Sequence, residues 1–172
     1  MLIDIDRLTD KELRINQDYE FISSDLIDEN AVFLDPVHAD LVVKKIGDEI
    51  FIKGRITALI SFVCSRCLSP YEFPVDSNFD LVYLPEELEE MKDQLEAEDM
   101  HKFFYSSPAL DLAAVVLEQI NFTFPLKPLC MQDCQGICPV CGKIVKDGEC
   151  SCVIHESDSR LDKLKIFMKD KR

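Results

Sequence analysis

Glycine and positive charge are scarce in this chain, and long apolar runs are missing. The 172 residues include five glycines. That leaves little material for a phosphate cradle, and neither G-x-x-x-x-G-K-[ST] nor G-x-G-x-x-G occurs. Lys and Arg total 19 against 33 Asp and Glu, a formal charge of −14. So acidic a surface repels a phosphate backbone unless its cations cluster, and a basic protein is the better electrostatic match. The longest apolar stretch, around Ile56 to Cys64, is broken by Thr57 and Ser61. It falls far short of the roughly 18 residues of a membrane span. The N-terminus, Met-Leu-Ile-Asp-Ile-Asp-Arg, has acids where a signal peptide carries positive charge. These absences predict a soluble cytoplasmic protein with reduced thiols, no membrane partner and no small-molecule substrate.

Catalytic signals are equally sparse. The three histidines, His38, His101 and His155, have no second His at i+3 or i+4 and no neighbouring nucleophile motif. No carboxylate pair stands out among the many acids. No catalytic residue is therefore assigned, and the chain is not expected to be an enzyme. His155 follows Cys152 by three residues and is at most a substitute metal ligand.

What is present is a core. Apolar residues make up 47% of the chain, enough to exclude wholesale disorder. A strand is expected near Leu13 to Phe21 and another over Val37 to Ile46, with a turn at Gly47-Asp48. From Ile50 to Cys64 every second position is apolar or glycine, the mark of one long strand with one buried face. Tyr71, Phe73, Val75, Phe79, Leu81 and Tyr83 repeat the pattern, and the two strands pair as a hairpin with its tip at Cys64 to Pro70. Pro74 marks an edge or a bend. Eight acids and one lysine fill Glu86 to Asp99, read as a solvated helix or acidic loop, or as a lure for a basic partner. Ser106-Ser107-Pro108 signals a helix start, and Leu110, Ala113, Ala114, Leu117 and Ile120 follow helical spacing up to Phe122-Thr-Phe-Pro125. Leu161, Leu164, Phe167 and Met168 predict a short closing helix rich in Lys and Arg.

The fold class expected is α+β: an antiparallel β-sheet or partly open barrel with a packed helix and a C-terminal zinc-ribbon-like module. The divisions are an α+β domain over 1–125, a cysteine-rich zinc module over 126–155 and a basic tail over 156–172.

Eight cysteines supply the chemistry: Cys64-x2-Cys67, Cys130-x3-Cys134-x3-Cys138-x2-Cys141 and Cys150-x-Cys152. They amount to the ligands of two tetrahedral Zn2+ sites. Cys138-Pro-Val-Cys141-Gly142 followed by Cys150-Ser-Cys152 resembles a zinc ribbon. Cys64, Cys67, Cys130 and Cys134 would then clamp the hairpin tip to the segment leaving the helix. The other split joins Cys130 and Cys134 to Cys138 and Cys141, and leaves Cys64 and Cys67 with Cys150 and Cys152. Shells of four cysteines leave no open position for catalysis, so both ions are expected to be structural. An iron–sulfur cluster or a disulfide relay is the alternative use of the thiols. Arg66, inside the first Cys pair, either braces that turn or meets phosphate or carboxylate. With Lys143, Lys146, Arg160 and Lys163 it makes up the candidate partner or RNA contacts.

These motifs resemble the YceD family. Val63-Cys64-Ser65-Arg66-Cys67-Leu68 is similar to its C-x-R-C-L segment. Leu126-Lys-Pro-Leu-Cys130, Cys134-x-Gly136-Ile-Cys138-Pro-Val-Cys141-Gly142 and Cys150-Ser-Cys152 look like its C-terminal signature, and Asp158-Ser-Arg160-Leu161 like its closing segment. The resemblance spans roughly residues 37 to 168. Val145-Lys146 departs from the usual Leu-Asn, Ser159 from the usual Pro, and the N-terminal third matches only in general character. The resemblance implies a bacterial or plastid protein needed for accumulation of large-subunit ribosomal RNA. The expected role is a non-enzymatic ribosome-biogenesis factor that binds a basic ribosomal protein or a pre-ribosomal large subunit. The alternative is a zinc ribbon binding ribosomal RNA directly. A redox or iron–sulfur protein is the third reading.

Overall fold

A computed structural model describes residues 1–86, 102–145 and 150–152. Its elements run β1 (Leu2–Asp4), β2 (Leu13–Tyr19), β3 (Val32–Phe33), β4 (Val37–Ile46), β5 (Glu49–Val63), β6 (Pro70–Pro85), β7 (Lys102–Tyr105), β8 (Ala109–Asp111) and α1 (Leu112–Phe122). The described residues are mostly strand with one helix, in keeping with the α+β class. Among them, no helix is long and apolar enough to cross a membrane.

The period-two stretches form the centre. β5 pairs antiparallel with β4 on one side and with β6 on the other, from Ile50↔Tyr83 to Val63↔Pro70 without a break. β2 extends the sheet beyond β4, and the two-residue β3 lies beside the far half of β5. Ile50, Ile52, Ile56 and Ile60 are fully buried, with Val37, Ala39, Leu41 and Val43 beside them on β4. Burying each such side chain stabilises the fold by about 1.5–3 kcal/mol relative to leaving it exposed. Leu112, Val115, Val116 and Ile120 of α1 close the same core.

Three elements differ from the sequence expectation. The helix starts at Leu112, not after Pro108. Asp111 caps it by accepting a hydrogen bond from the Ala113 N–H, and Ala109 to Asp111 is instead strand, held by β1. A local start signal loses here to a pairing with the other end of the chain. The sheet is also mixed, because β7 joins β6 in parallel, with Val82 opposite Lys102. The sequence between Pro85 and Lys102 is long enough for the crossover of about a dozen residues that parallel pairing requires. Nothing in the alternation of β6 itself reveals that partner. The acidic run is outside the described residues except for Glu86, and so are His101, His155 and the closing helix.

The outer face of the sheet is charged but internally matched. Lys53 reaches Asp80 at 2.6 Å, and Arg55 holds Asp76 through two bonds of 2.7 and 2.8 Å. Next to them, His38 Nδ1 lies 2.6 Å from Asp18 and its Nε2 3.7 Å from Asp40. The Asp18 hydrogen bond is the main reason the His38 pKa is raised above the usual 6.5. A raised histidine stabilises the fold fully below its unfolded value, and that contribution fades as pH rises through the folded value. NMR titration of the His38 ring is expected to give a midpoint above 6.5, and Asp18→Asn is expected to move it back.

Candidate metal centres

The site starts from the β5–β6 hairpin. Its two long strands carry Cys64 and Cys67 to the tip, where Cys64 is fully buried and Cys67 is 3% exposed. The tip folds as a tight knuckle. The Cys64 N–H donates to the Ser69 carbonyl at 2.9 Å, and the Leu68 N–H donates to the Cys64 carbonyl at 2.9 Å. Closing that turn puts Leu68 at φ 60°, a left-handed conformation that costs a side chain of this kind of order 1–3 kcal/mol.

The second knuckle repeats the first. The Cys138 N–H donates to the Lys143 carbonyl at 2.7 Å, the Gly142 N–H donates to the Cys138 carbonyl at 2.8 Å, and Gly142 sits at φ 71°. Here glycine takes the left-handed position without penalty. Each C-x2-C thus points two sulfurs to one side while backbone amides surround them.

Chain leaving α1 returns to the hairpin tip and completes the first group. Both the N–H and the hydroxyl of Ser65 donate to the Pro128 carbonyl, at 2.9 and 3.0 Å. This anchors Cys130 and Cys134 over the tip. Cys64, Cys67, Cys130 and Cys134 then lie with all sulfurs within 4.8 Å of one another, and so do Cys138, Cys141, Cys150 and Cys152. The alternative split of the cysteines is not the arrangement observed.

The distances discriminate between chemistries. Sγ–Sγ separations are 3.8 Å for Cys64–Cys134, 3.7 Å for Cys67–Cys130 and 3.6 Å for Cys141–Cys150. A disulfide needs about 2.05 Å. A regular tetrahedron of sulfurs around one ion, at a metal–sulfur distance of about 2.3 Å, has edges of about 3.8 Å. Each quartet therefore fits a single metal ion. Sulfurs this close together leave no room between them for a cluster of several irons.

The thiols are pre-tuned unequally. At Cys64 burial pushes the pKa up, but hydrogen bonds from the backbone amides of Cys67, Cys130 and Arg66 outweigh it and bring it down to about 6. The Cys141 and Val140 amides bring Cys138 down to about 6. Burial raises Cys130 to about 12, and the hydrogen bond with Cys150 raises Cys152 to about 12. The protons of each quartet are thus held unequally, and an incoming cation must displace those that remain.

The remaining candidates divide. Arg66 donates to the Cys134 carbonyl at 2.8 Å and to the Gln132 carbonyl at 3.3 Å, so its guanidinium ties one knuckle to the segment opposite. Lys143 is exposed, and its carbonyl serves the second knuckle. Lys146, Arg160 and Lys163 lie outside the described residues. Lys44, Lys53 and Arg55 share the outer face of the sheet, but Lys53 and Arg55 are held by acids.

Gly136, named in the sequence only as part of the family signature, has a structural role that cysteine spacing does not reveal. It sits at φ 80°, and a Cβ there would lie 3.0 Å from the Arg66 carbonyl oxygen. Its own carbonyl accepts from the Val145 N–H at 2.8 Å, beside a bridge between Ile137 and Ile144. Gly136 therefore couples the two quartets. Its place between Cys134 and Cys138 in a glycine-poor chain was the available signal. Gly136→Ala is expected to destabilise the module by about 1–3 kcal/mol. Gly142→Ala should cost less, because nothing lies within 4 Å of its Cβ position. Chelator titration of the two variants checks this, with Gly136→Ala releasing metal at the lower concentration.

The fold and site define a strand-rich protein whose hairpin tip and cysteine-rich segment together form two four-cysteine centres. The sequence matches the family described as "Large ribosomal RNA subunit accumulation protein YceD" over residues 52–168. The chain belongs to the YceD family. It is similar to an uncharacterized protein of Mycobacterium tuberculosis, 26% identical over 104 residues, covering 60% of this chain and 48% of that one. An uncharacterized protein of Mycobacterium leprae is 23% identical over 107 residues, covering 62% and 48%. The chain thus spans about half the length of the curated relatives it matches. No solved structure matches it.

Proposed function

We propose that this chain supports accumulation of large-subunit ribosomal RNA as a non-enzymatic assembly factor, binding a basic ribosomal protein or a pre-ribosomal large-subunit particle. Family membership is the observation that carries this reading. The formal charge of −14 supports a cationic partner. Two Zn2+ ions on eight thiolates would add a net −4 to it. Zn2+ is the ion this reading assigns to both quartets, because four thiolates suit it and leave no position for substrate. The second quartet then acts as a zinc-ribbon-type brace and the first as a clamp on the hairpin. The protein works in the cytoplasm, where thiols stay reduced. Direct RNA binding ranks second, since Arg66 is already engaged with two carbonyls.

Co-sedimentation of the full-length metal-loaded chain with large-subunit precursor particles tests the proposal. Association is expected at low ionic strength and release as the Debye length falls from about 30 Å at 0.01 M to about 3 Å at 1 M salt. Absence of association, or binding indifferent to salt, overturns it.

A further inference from the structure

Among the described residues, the hairpin has one long strand edge without a partner. β7 pairs with β6 only from Val82 to Pro85. Among the described residues no strand pairs with the outer edge of β6 between Pro70 and Leu81. Which groups face outward follows from a neighbouring bond. The Leu34 N–H donates to the Leu59 carbonyl at 2.9 Å, so Leu59 turns its peptide groups away from β6. Its partner Pro74 therefore turns its own away from β5. The direction repeats every second residue along an unbroken register. Asp76, Asn78 and Asp80 thus direct their N–H and C=O groups to the open side, and Val82, where β7 begins, is next in the series.

The same edge is walled. Two clefts of about 340 and 510 Å³ run along it, and Gln119 of α1 lines both. Phe122, 68% exposed, stands in the cleft nearer Pro74 and offers an apolar contact. Pro74 has no N–H to give, which sets one limit of the usable edge. β7 sets the other, and shows that the edge accepts a strand. The charges select the occupant. Lys53 lines the larger cleft but is held by Asp80, and Asp76 is held by Arg55. Glu72, two residues before Pro74 on the same strand, and Glu118, next to Gln119 on α1, are both exposed and in no ion pair among the described residues, on a chain of charge −14.

We propose that the open edge of β6 from Asp76 to Asp80, with α1 as its wall, takes up an extended cationic segment of a partner protein as an added strand. Main-chain hydrogen bonds supply the affinity, and the acids select Lys- and Arg-rich sequences. This rests on the assembly-factor reading for the identity of the partner, and not for the chemistry of the edge.

The probe is acetyl-Lys-Val-Lys-Val-Lys-Val-Lys-amide, labelled for fluorescence anisotropy, with hydrogen exchange on the full metal-loaded chain. The peptide is expected to bind and to slow exchange at the Asp76, Asn78 and Asp80 amides. Asn78→Pro removes one outward N–H, as Pro74 already does four residues earlier, and is expected to weaken binding about tenfold. Asn78→Ala keeps the N–H and is expected to bind as wild type. The same peptide N-methylated at alternate amides, in both registers, needs no change to the protein, and at least one register is expected to lose binding. Unchanged binding of Asn78→Pro and of both methylated peptides overturns the inference. An oligonucleotide that protects these amides when the peptide does not also overturns it. Peptide binding by a chain that ignores large-subunit particles upholds the edge and removes the ribosomal reading. Particle binding without peptide binding does the reverse.

Discussion

Replacing Cys64 with serine is expected to lower the metal content from two ions per chain to one. Cys64 is the most buried member of the first quartet and closes the knuckle through both its N–H and its carbonyl. Serine keeps those backbone bonds, so the change isolates the sulfur. A three-thiolate remnant binds far more weakly, and a structural zinc site is worth about 10–16 kcal/mol of apparent binding energy in small zinc-dependent peptides. The second quartet shares no ligand with the first and should keep its ion. Elemental analysis of wild type and variant decides the matter. Two ions retained in the variant would remove Cys64 from the ligand set. None retained would mean that the link through Gly136 makes the two centres a single cooperative unit.

Chelation is expected to unfold the cysteine-rich segment over 130–152 while the sheet survives. The reason lies in how the two cores are built. The large one is made of aliphatic and aromatic side chains from the sheet, α1 and the N-terminal segment, and contains no cysteine. The small one consists of Cys64, Cys67 and Cys134, with Tyr71, Leu129 and Cys130 packed on it. In the segment itself Met131, Ile137, Val140 and Ile144 are all exposed. So little apolar burial cannot offset the conformational entropy of ordering the chain, and metal binding must supply the difference. Hydrogen exchange with and without a chelator is the measurement. The Cys138 and Gly142 amides are expected to lose protection, while those of β4 to β6 keep it. Unchanged protection in the segment would show that it holds together without metal. Rebinding should weaken as pH falls, because protons compete with the ion for the cysteine sulfurs.

Much of this architecture is legible in the residues. The alternation from Ile50 to Cys64 and from Tyr71 to Tyr83 defines a hairpin, and the observed register runs from Ile50↔Tyr83 to Val63↔Pro70. Side-chain alternation is a local property, and a slip of one residue would turn the buried face to water. The helix was legible in its body but not at its start, because β1 claims Ala109 to Asp111 from the opposite end of the chain. β7 was missed for the same kind of reason, since four residues carry too little periodicity to announce a parallel partner.

By itself the sequence determined a charge of −14, a long hairpin and two C-x2-C knuckles with ligand-type spacing. Those follow from composition and from residues a few positions apart. Only the tertiary structure decided which cysteines meet, because Cys64 and Cys134 lie 70 residues apart and come together through the docking of Ser65 on Pro128. It also decided that Arg66 is engaged by the carbonyls opposite it and that, among the described residues, no strand covers β6 from Pro70 to Leu81. Both depend on which distant backbone groups find each other, and spacing along the chain carries no record of that.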